Sequence, residues 1–325
     1  MLENGRGVAK DLGQALATYR RTCDKGEPRG CTSVGMMLAN GRGVPVDEPG
    51  AVALYRGACD QGYFQGCNLL AMALRIGRGV AVDDKRSAEL YQKSCDGGDG
   101  QGCAGLGFAY ATGRGVERDP VRALGLYQRA CDGGASDGCR LTGLAYANGT
   151  GVAADLQKAA QLYQRGCDGS NANACTLLGD LLSFGRGGVP QDDRQAAVLF
   201  RRGCDGGDPR GCTGLAQFYA NGRAVPRDDR QAAELYQRAC DAGGMVGCRF
   251  LGGMYESGLG VTKDESKAAT LYQRGCDASD GSACISLGLM YSQGRGVKTD
   301  PVKARALFDK ACTAGLARGC QLRDK

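Results

Sequence analysis

Histidine and tryptophan are absent from all 325 residues. Without histidine the chain cannot build a Ser-His-Asp triad, a Cys-His dyad, an HExxH zinc site or a histidine-ligated haem. Charge of one sign is also scarce: 41 basic and 35 acidic residues leave a net charge of only +6. That balance lacks the dense basic surface of a nucleic-acid binder. No apolar run is long enough to span a bilayer. There is no C-x-x-C for a redox relay and no G-x4-GK[ST] phosphate loop.

Glycine and cysteine are plentiful, at 55 and 18 residues. The cysteines fall in nine pairs: Cys23 and Cys31, Cys59 and Cys67, Cys95 and Cys103, Cys131 and Cys139, Cys167 and Cys175, Cys204 and Cys212, Cys240 and Cys248, Cys276 and Cys284, Cys312 and Cys320. Every pair is C-x7-C, and successive pairs lie 36 residues apart, with one step of 37. The extra residue sits in Gly185-Arg186-Gly187-Gly188-Val189, where other units read G-R-G-V. A fixed period of this length marks a repeat architecture.

The unit from Cys103 to Cys139 displays the pattern. Leu106, Gly107 and Tyr110 follow Cys103 on one face of a helix, helix A. It ends at Gly113, and Gly115 permits the tight turn beyond it. Asp119-Pro120 is an N-cap and first-turn pair that opens helix B. Ala123, Leu126, Tyr127, Ala130 and Cys131 form the apolar side of helix B, and Asp132-Gly133-Gly134 closes it. A small residue recurs four places after the helix A cysteine, at Gly35, Ala71, Gly107, Gly143, Gly179, Ala216, Gly252 and Gly288. Its cost of about 0.5–1 kcal/mol as an in-helix glycine is tolerable where two helix backbones approach closely. An aromatic recurs late in helix B, at Tyr19, Tyr55, Tyr91, Tyr127, Tyr163, Phe200, Tyr236, Tyr272 and Phe308. These rings read as wedges between hairpins.

One hairpin cannot bury its own apolar faces, whereas stacked hairpins bury a continuous core. The fold class expected is all-α: an α/α solenoid, a right-handed superhelix of 36-residue helix-turn-helix repeats stapled by disulfides. Residues 1–30 form a half repeat, helix B alone; 31–318 form eight repeats in one continuous solenoid; 319–325 are a stub. Leu2-Glu3-Asn4-Gly5-Arg6-Gly7-Val8 reads as the tail of a missing helix A, so the sequence is expected to be a fragment, which also explains why no signal peptide is visible.

Each C-x7-C brackets the loop between one helix B and the next helix A, where a local bridge is geometrically natural. A rival pairing within one A–B unit, such as Cys31 with Cys59, would strand Cys23 and Cys320. The local scheme uses all eighteen and is preferred. Closing a nine-residue loop contributes roughly 2.5 kcal/mol per bridge. Zinc is disfavoured because each pair offers only two ligands. Paired cysteines without catalytic spacing imply an oxidising compartment: the periplasm, the cell exterior or an intermembrane space, with a periplasmic or secreted protein preferred. No cofactor or metal is expected.

The units resemble Sel1-like repeats. The likeness is carried by Cys284-Ile285-Ser286-Leu287-Gly288-Leu289-Met290-Tyr291 with Gly294-Arg295-Gly296-Val297, and by Asp155-Leu156-Gln157-Lys158-Ala159-Ala160-Gln161-Leu162-Tyr163. The C-x7-C frame is similar to that of the cysteine-rich branch, the Helicobacter cysteine-rich proteins. Leu38, Leu74 and Leu182 depart from the pattern where helix A usually carries tyrosine, and Arg223-Ala224 and Leu259-Gly260 alter the turn. The resemblance implies an extracytoplasmic adaptor for proteins. For some members of that branch it also implies penicillin binding and slow β-lactam hydrolysis. The parts of a serine β-lactamase are missing: there is no S-x-x-K, no S-D-N and no K-T-G.

Other repeated charges have structural readings. Asp11, Asp47, Asp83, Asp119, Asp155, Asp192, Asp228, Asp264 and Asp300 read as N-caps. Asp24, Asp60, Asp96, Asp132, Asp168, Asp205, Asp241 and Asp277 read as loop residues. Arg6, Arg42, Arg78, Arg114, Arg186 and Arg295, in the G-R-G turn, read as a solvated row. Binding is expected on the helix A face opposite the core, at the first, fifth and eighth residues after its cysteine. The candidate groove comprises Met36, Met72, Phe108, Leu144, Asp180, Gln217 and Leu289 at the fifth position, and Arg75 and Glu256 at the eighth. Asn40, Asn148 and Asn221 stand one further on. Arg140 and Arg249 come from the first-position row, which also holds Thr32, Asn68, Ala104, Thr176, Thr213 and Ile285. Its first half is Met- and Phe-rich and its second half more polar, which suits a protein or extended peptide, including a cell-wall peptide. The alternatives are a weak β-lactam-binding hydrolase and a purely structural spacer.

Overall fold

The computed structural model describes residues 11–324; the leading segment Leu2–Val8, with Arg6, lies outside them. Among the described residues there are eighteen helices and no strand. The helix B segments are α1 (Leu12–Asp24), α3 (Glu48–Asp60), α5 (Asp84–Asp96), α7 (Pro120–Asp132), α9 (Leu156–Asp168), α11 (Asp193–Asp205), α13 (Asp229–Asp241), α15 (Glu265–Asp277) and α17 (Pro301–Thr313). The helix A segments are α2 (Pro28–Asn40), α4 (Phe64–Ile76), α6 (Gly100–Thr112), α8 (Ser136–Asn148), α10 (Ala172–Phe184), α12 (Pro209–Asn221), α14 (Met245–Ser257), α16 (Gly281–Gln293) and α18 (Ala317–Arg323). The chain divides into two compact units, one ending at Gly169 and holding α1 to α9, the other beginning at Ser170 and holding α10 to α18.

Helix boundaries follow the caps. All nine aspartates of the first row accept a hydrogen bond at the start of helix B, as Asp119 does from the Arg122 amide at 2.9 Å. These carboxylates satisfy amides that a helix start leaves unpaired. Full-length helix A segments end on a left-handed glycine, such as Gly113 at φ 74°. The second aspartate row corrects the loop assignment: each of its residues is the last of a helix B. There Asp96 accepts from Gln92 at 2.9 Å, one helical turn earlier, and meets Arg129 of the next helix B at 3.6 Å.

Where glycine stands four places after the helix A cysteine, an aromatic ring and a helix backbone both crowd it, although Ala71 and Ala216 fit a methyl at the same place in two repeats. A Cβ on Gly107 would lie 2.6 Å from Tyr127 Cε1 and 3.2 Å from the Ala123 carbonyl oxygen. Tyr127, Tyr163 and Phe200 are buried, and Tyr19 is half-buried. Burial drives the Tyr55 and Tyr127 hydroxyls up to about 12 in pKa, with Arg78 and Arg140 respectively opposing the shift. The neutral phenol is the form the core accepts.

All eighteen cysteines are disulfide-bonded. In the first unit Cys23 joins Cys31, Cys59 joins Cys67, Cys95 joins Cys103 and Cys131 joins Cys139. In the second unit Cys204 joins Cys212, Cys240 joins Cys248, Cys276 joins Cys284 and Cys312 joins Cys320. Cα atoms of Cys131 and Cys139 are 4.4 Å apart, and those of Cys240 and Cys248 4.6 Å. Cys167 at the end of α9 and Cys175 in the first turn of α10 are also disulfide-bonded, and both are buried. These bridges exclude the rival Cys31–Cys59 scheme. The eight bridges named by pair each tie one helix B to the next helix A of the same unit.

A second inter-repeat fastening corrects the reading of the G-R-G arginines as solvated. Arg114 reaches back to Asp84, the first residue of α5, at 2.9 Å, and donates to the Arg75 carbonyl at the end of α4 at 2.9 Å. Arg78 pairs likewise with Glu48 at 2.8 Å and donates to the Ala39 carbonyl. In the second unit Arg223 pairs with Asp193 at 2.5 Å and donates to the Ser183 carbonyl. One guanidinium thus joins a helix N-terminal carboxylate to a helix C-terminal carbonyl, the sites where the helix dipole favours each partner. Arg186 does otherwise, stacking on Phe184 at 4.6 Å. A third row works at the opposite helix ends: Arg129 donates to the Cys95 carbonyl at 2.8 Å, and Lys93 to that of Cys59 at 3.1 Å.

Candidate peptide-binding face

Helix A turns one side to the core and the other outward, and the two sides are read at different positions. In α4, Leu70, Ala71 and Leu74 are buried, whereas Met72 is 38% exposed. The other fifth-position residues, Met36, Phe108, Leu144, Asp180, Gln217 and Leu289, are half-buried. They line the surface without being free of packing.

In the first unit the row is apolar and flanked by polar groups. The Arg75 guanidinium lies over the Phe108 ring, 5.1 Å from its centre. Asn40 donates to the Met36 carbonyl at 2.8 Å and accepts from Arg78 at 3.3 Å. Arg140 is held by Asp137 at 2.8 Å, and Asn148 is exposed.

In the second unit two clefts open between successive A helices. One, of about 430 Å³, is lined by Asp180 of α10, Arg210, Thr213 and Gln217 of α12, and Met245 and Val246 of α14. Asp180 and Arg210 meet across it at 2.9 Å. Partial burial raises the Asp180 carboxyl above its ordinary pKa against the opposing pull of Arg210. The other cleft, of about 410 Å³, includes Arg249, Ile285, Leu289 and Arg318. Arg249 also pairs with Asp280 at 3.1 Å and covers the Phe250 ring at 4.4 Å. Asn221 is exposed at the end of α12. Glu256 is committed elsewhere: it accepts the Tyr272 hydroxyl at 2.8 Å and pairs with Arg295.

Two features differ from the sequence-based groove. Half of the first-position row is buried, namely Thr32, Ala104, Thr176 and Ile285. The position faces the neighbouring repeat: a Cβ on Gly211 of α12 would lie 2.8 Å from Thr176 Oγ1 of α10. The second feature is a row that periodicity reasoning missed, two residues before the helix A cysteine. It supplies Arg210 and Val246 to one cleft and Ser282 and Arg318 to the other. Its signal was available, since it lies seven residues, two helical turns, before the fifth position.

The Sel1 repeat profile matches nine consecutive segments, at residues 1–27, 28–63, 65–99, 100–134, 136–171, 172–208, 209–244, 246–280 and 281–316. The chain belongs to the Sel1 repeat family, whose helical repeats are scaffolds typical of protein–protein interaction. A Sel1 repeat protein from Oxalobacter formigenes aligns at TM-score 0.65 and 23% identity, over 94% of this chain and 88% of that one. A protective antigen of uropathogenic Escherichia coli strains, displaying an SLR fold, aligns at TM-score 0.51 and 27% identity, over 99% of this chain and 77% of that one. Helicobacter pylori cysteine-rich protein B is 30% identical over 40% of this chain and 94% of its own, at TM-score 0.34. A comparison with curated proteins gave no match.

Proposed function

We propose that this protein is an extracytoplasmic scaffold that binds a protein segment or extended peptide along its helix A faces. The carrying observation is the accessible fifth-position row, with clefts opening beside it between consecutive A helices. Apolar side chains of a peptide would enter beside Met72 in the first unit or Val246 in the second. The Asp180–Arg210 pair and Gln217 offer partners for its backbone and charged groups. A fully disulfide-bonded cysteine set supports an oxidising compartment. No helix among the described residues is long and apolar enough to cross a membrane. Slow β-lactam hydrolysis, the alternative that the resemblance suggests, has no residue set behind it in these clefts.

The test is selection of a random-peptide display library on the oxidised protein, followed by binding to Met72→Asp and Arg210→Glu. Selected peptides are expected to lose at least about tenfold in affinity for one variant or the other, equivalent to 1.4 kcal/mol, with thermal unfolding unchanged. Equal binding to wild type and both variants would place the ligand elsewhere.

A further inference from the structure

The three leucines that replace the helix A tyrosine are not equivalent. Tyrosine stands there in five repeats, at Tyr110, Tyr146, Tyr219, Tyr255 and Tyr291, and four of these rings are covered in a repeated way. A cation three residues after the next helix B N-cap lies over the ring: Arg122 over Tyr110 at 4.5 Å, Lys158 over Tyr146 at 4.3 Å, Lys267 over Tyr255 at 5.3 Å and Lys303 over Tyr291 at 4.3 Å. In two of the five the preceding helix B also reaches the hydroxyl, from the residue three before its cysteine, whereas Gln92, Gln237 and Gln273 in that register turn to the aspartate that ends their own helix. Gln128 donates to Tyr146 at 3.2 Å, and Arg201 to Tyr219 at 2.8 Å.

At Leu74 the ring is missing but both of its holders remain. Arg56 of α3 occupies the register of Gln128 and Arg201, and Arg86 of α5 that of Arg122 and Lys158. Between them lies a cleft of about 490 Å³ floored by Leu70, Leu74 and Leu90. Arg86, with no ring to cover, turns to Glu89 at 2.9 Å and leaves 62% of its side chain exposed. The other two departures keep no such set: the residue in the register of Arg86 is Gly50 after Leu38 and Gln195 after Leu182.

We propose that this cleft is a receptor site for an aromatic side chain of a partner protein, tyrosine above all. The ring would rest on the leucine floor, Arg86 would leave Glu89 to cover its face, and Arg56 would donate to its hydroxyl. Tyr146, with Lys158 over its ring and Gln128 on its hydroxyl, defines the occupant. The site lies between α3 and α5 over Leu70 and Leu74 of α4, and does not depend on the fifth-position face.

The probe is N-acetyltyrosinamide, titrated into the ¹⁵N-labelled oxidised protein and followed by amide NMR, with the phenylalanine and leucine amides as comparisons. Shifts are expected in α3 to α5, strongest for tyrosine, weaker for phenylalanine and weakest for leucine. Arg86→Ala should weaken tyrosine binding about two- to fivefold, the span of a partly exposed cation–π contact. Leu74→Tyr supplies the ring from within. It is expected to keep the thermal midpoint at or above wild type and to abolish the probe's shifts. The proposal is overturned if Leu74→Tyr lowers the midpoint, if the probe still binds that variant, if leucine and tyrosine amides bind alike, or if no amide in α3 to α5 responds at the probe's solubility limit.

Discussion

Backbone conformation at single positions is where the repeat is most demanding. The second glycine of the G-x-G turn is held at positive φ, and it also packs against the start of the preceding helix B: a Cβ on Gly115 would lie 2.0 Å from the Asp84 carbonyl oxygen. One repeat breaks the rule, with Ala224 at φ 60°. A left-handed conformation costs a non-glycine residue about 1–2 kcal/mol. Ala224→Gly should therefore raise stability by about 1 kcal/mol, after the added unfolded-state entropy of glycine offsets part of the relief. Denaturant unfolding checks this: an unchanged or lower midpoint would mean that the Ala224 methyl packs well enough to repay its strain. Substitution at residue 224 leaves the helix A faces and the Leu74 cleft intact, so it separates fold from binding.

Elements are joined by three kinds of fastening, of which only the disulfide staple was legible in the sequence. The C-x7-C spacing places both cysteines beside a short loop, so the staple could be read from one dimension. The Arg114–Asp84 clamp could not, because its partners are 30 residues apart and neither is unusual alone. A partial joint clue exists, since Arg78 goes with Glu48, Arg114 with Asp84 and Arg223 with Asp193, but Arg42 goes with Leu12 and Leu259 with Asp229, so the sequence pattern alone does not define the clamp. The N-cap row was legible for the opposite reason, since a cap acts within one turn. The binding face was half legible. Helical periodicity separates the fifth position from the core, but burial of the first position by a neighbouring repeat is a tertiary fact. For the clamp, a double-mutant cycle over Arg114→Ala and Asp84→Ala should give a coupling of about 0.5–1 kcal/mol, the upper range for a part-exposed pair. A coupling near zero would return these arginines to the solvated row.

Within each unit a repeat touches chiefly its sequence neighbours, so stability accumulates from repeat to repeat. The consequence of losing one staple then depends on where it sits. In a protein of these 325 residues, replacing Cys312 and Cys320 by serine loosens the short α18, the last described helix, from α17. Replacing Cys131 and Cys139 loosens α7 from α8 inside the first unit, at an interface with structure on both sides. Both changes forfeit the same nine-residue loop closure, roughly 2.5 kcal/mol in the chain-entropy account. The internal one also puts two serine hydroxyls where Cys131 and Cys139 are 3% and 4% exposed, a buried-polar cost that adds to the first. The terminal pair should fray locally and leave the main unfolding transition near its wild-type position. The internal pair should lower it by several degrees and broaden it. Calorimetry with hydrogen exchange resolved along the chain distinguishes these outcomes. Equal losses from both pairs would mean that the staples act on the whole chain at once and that the repeats do not behave as a one-dimensional array.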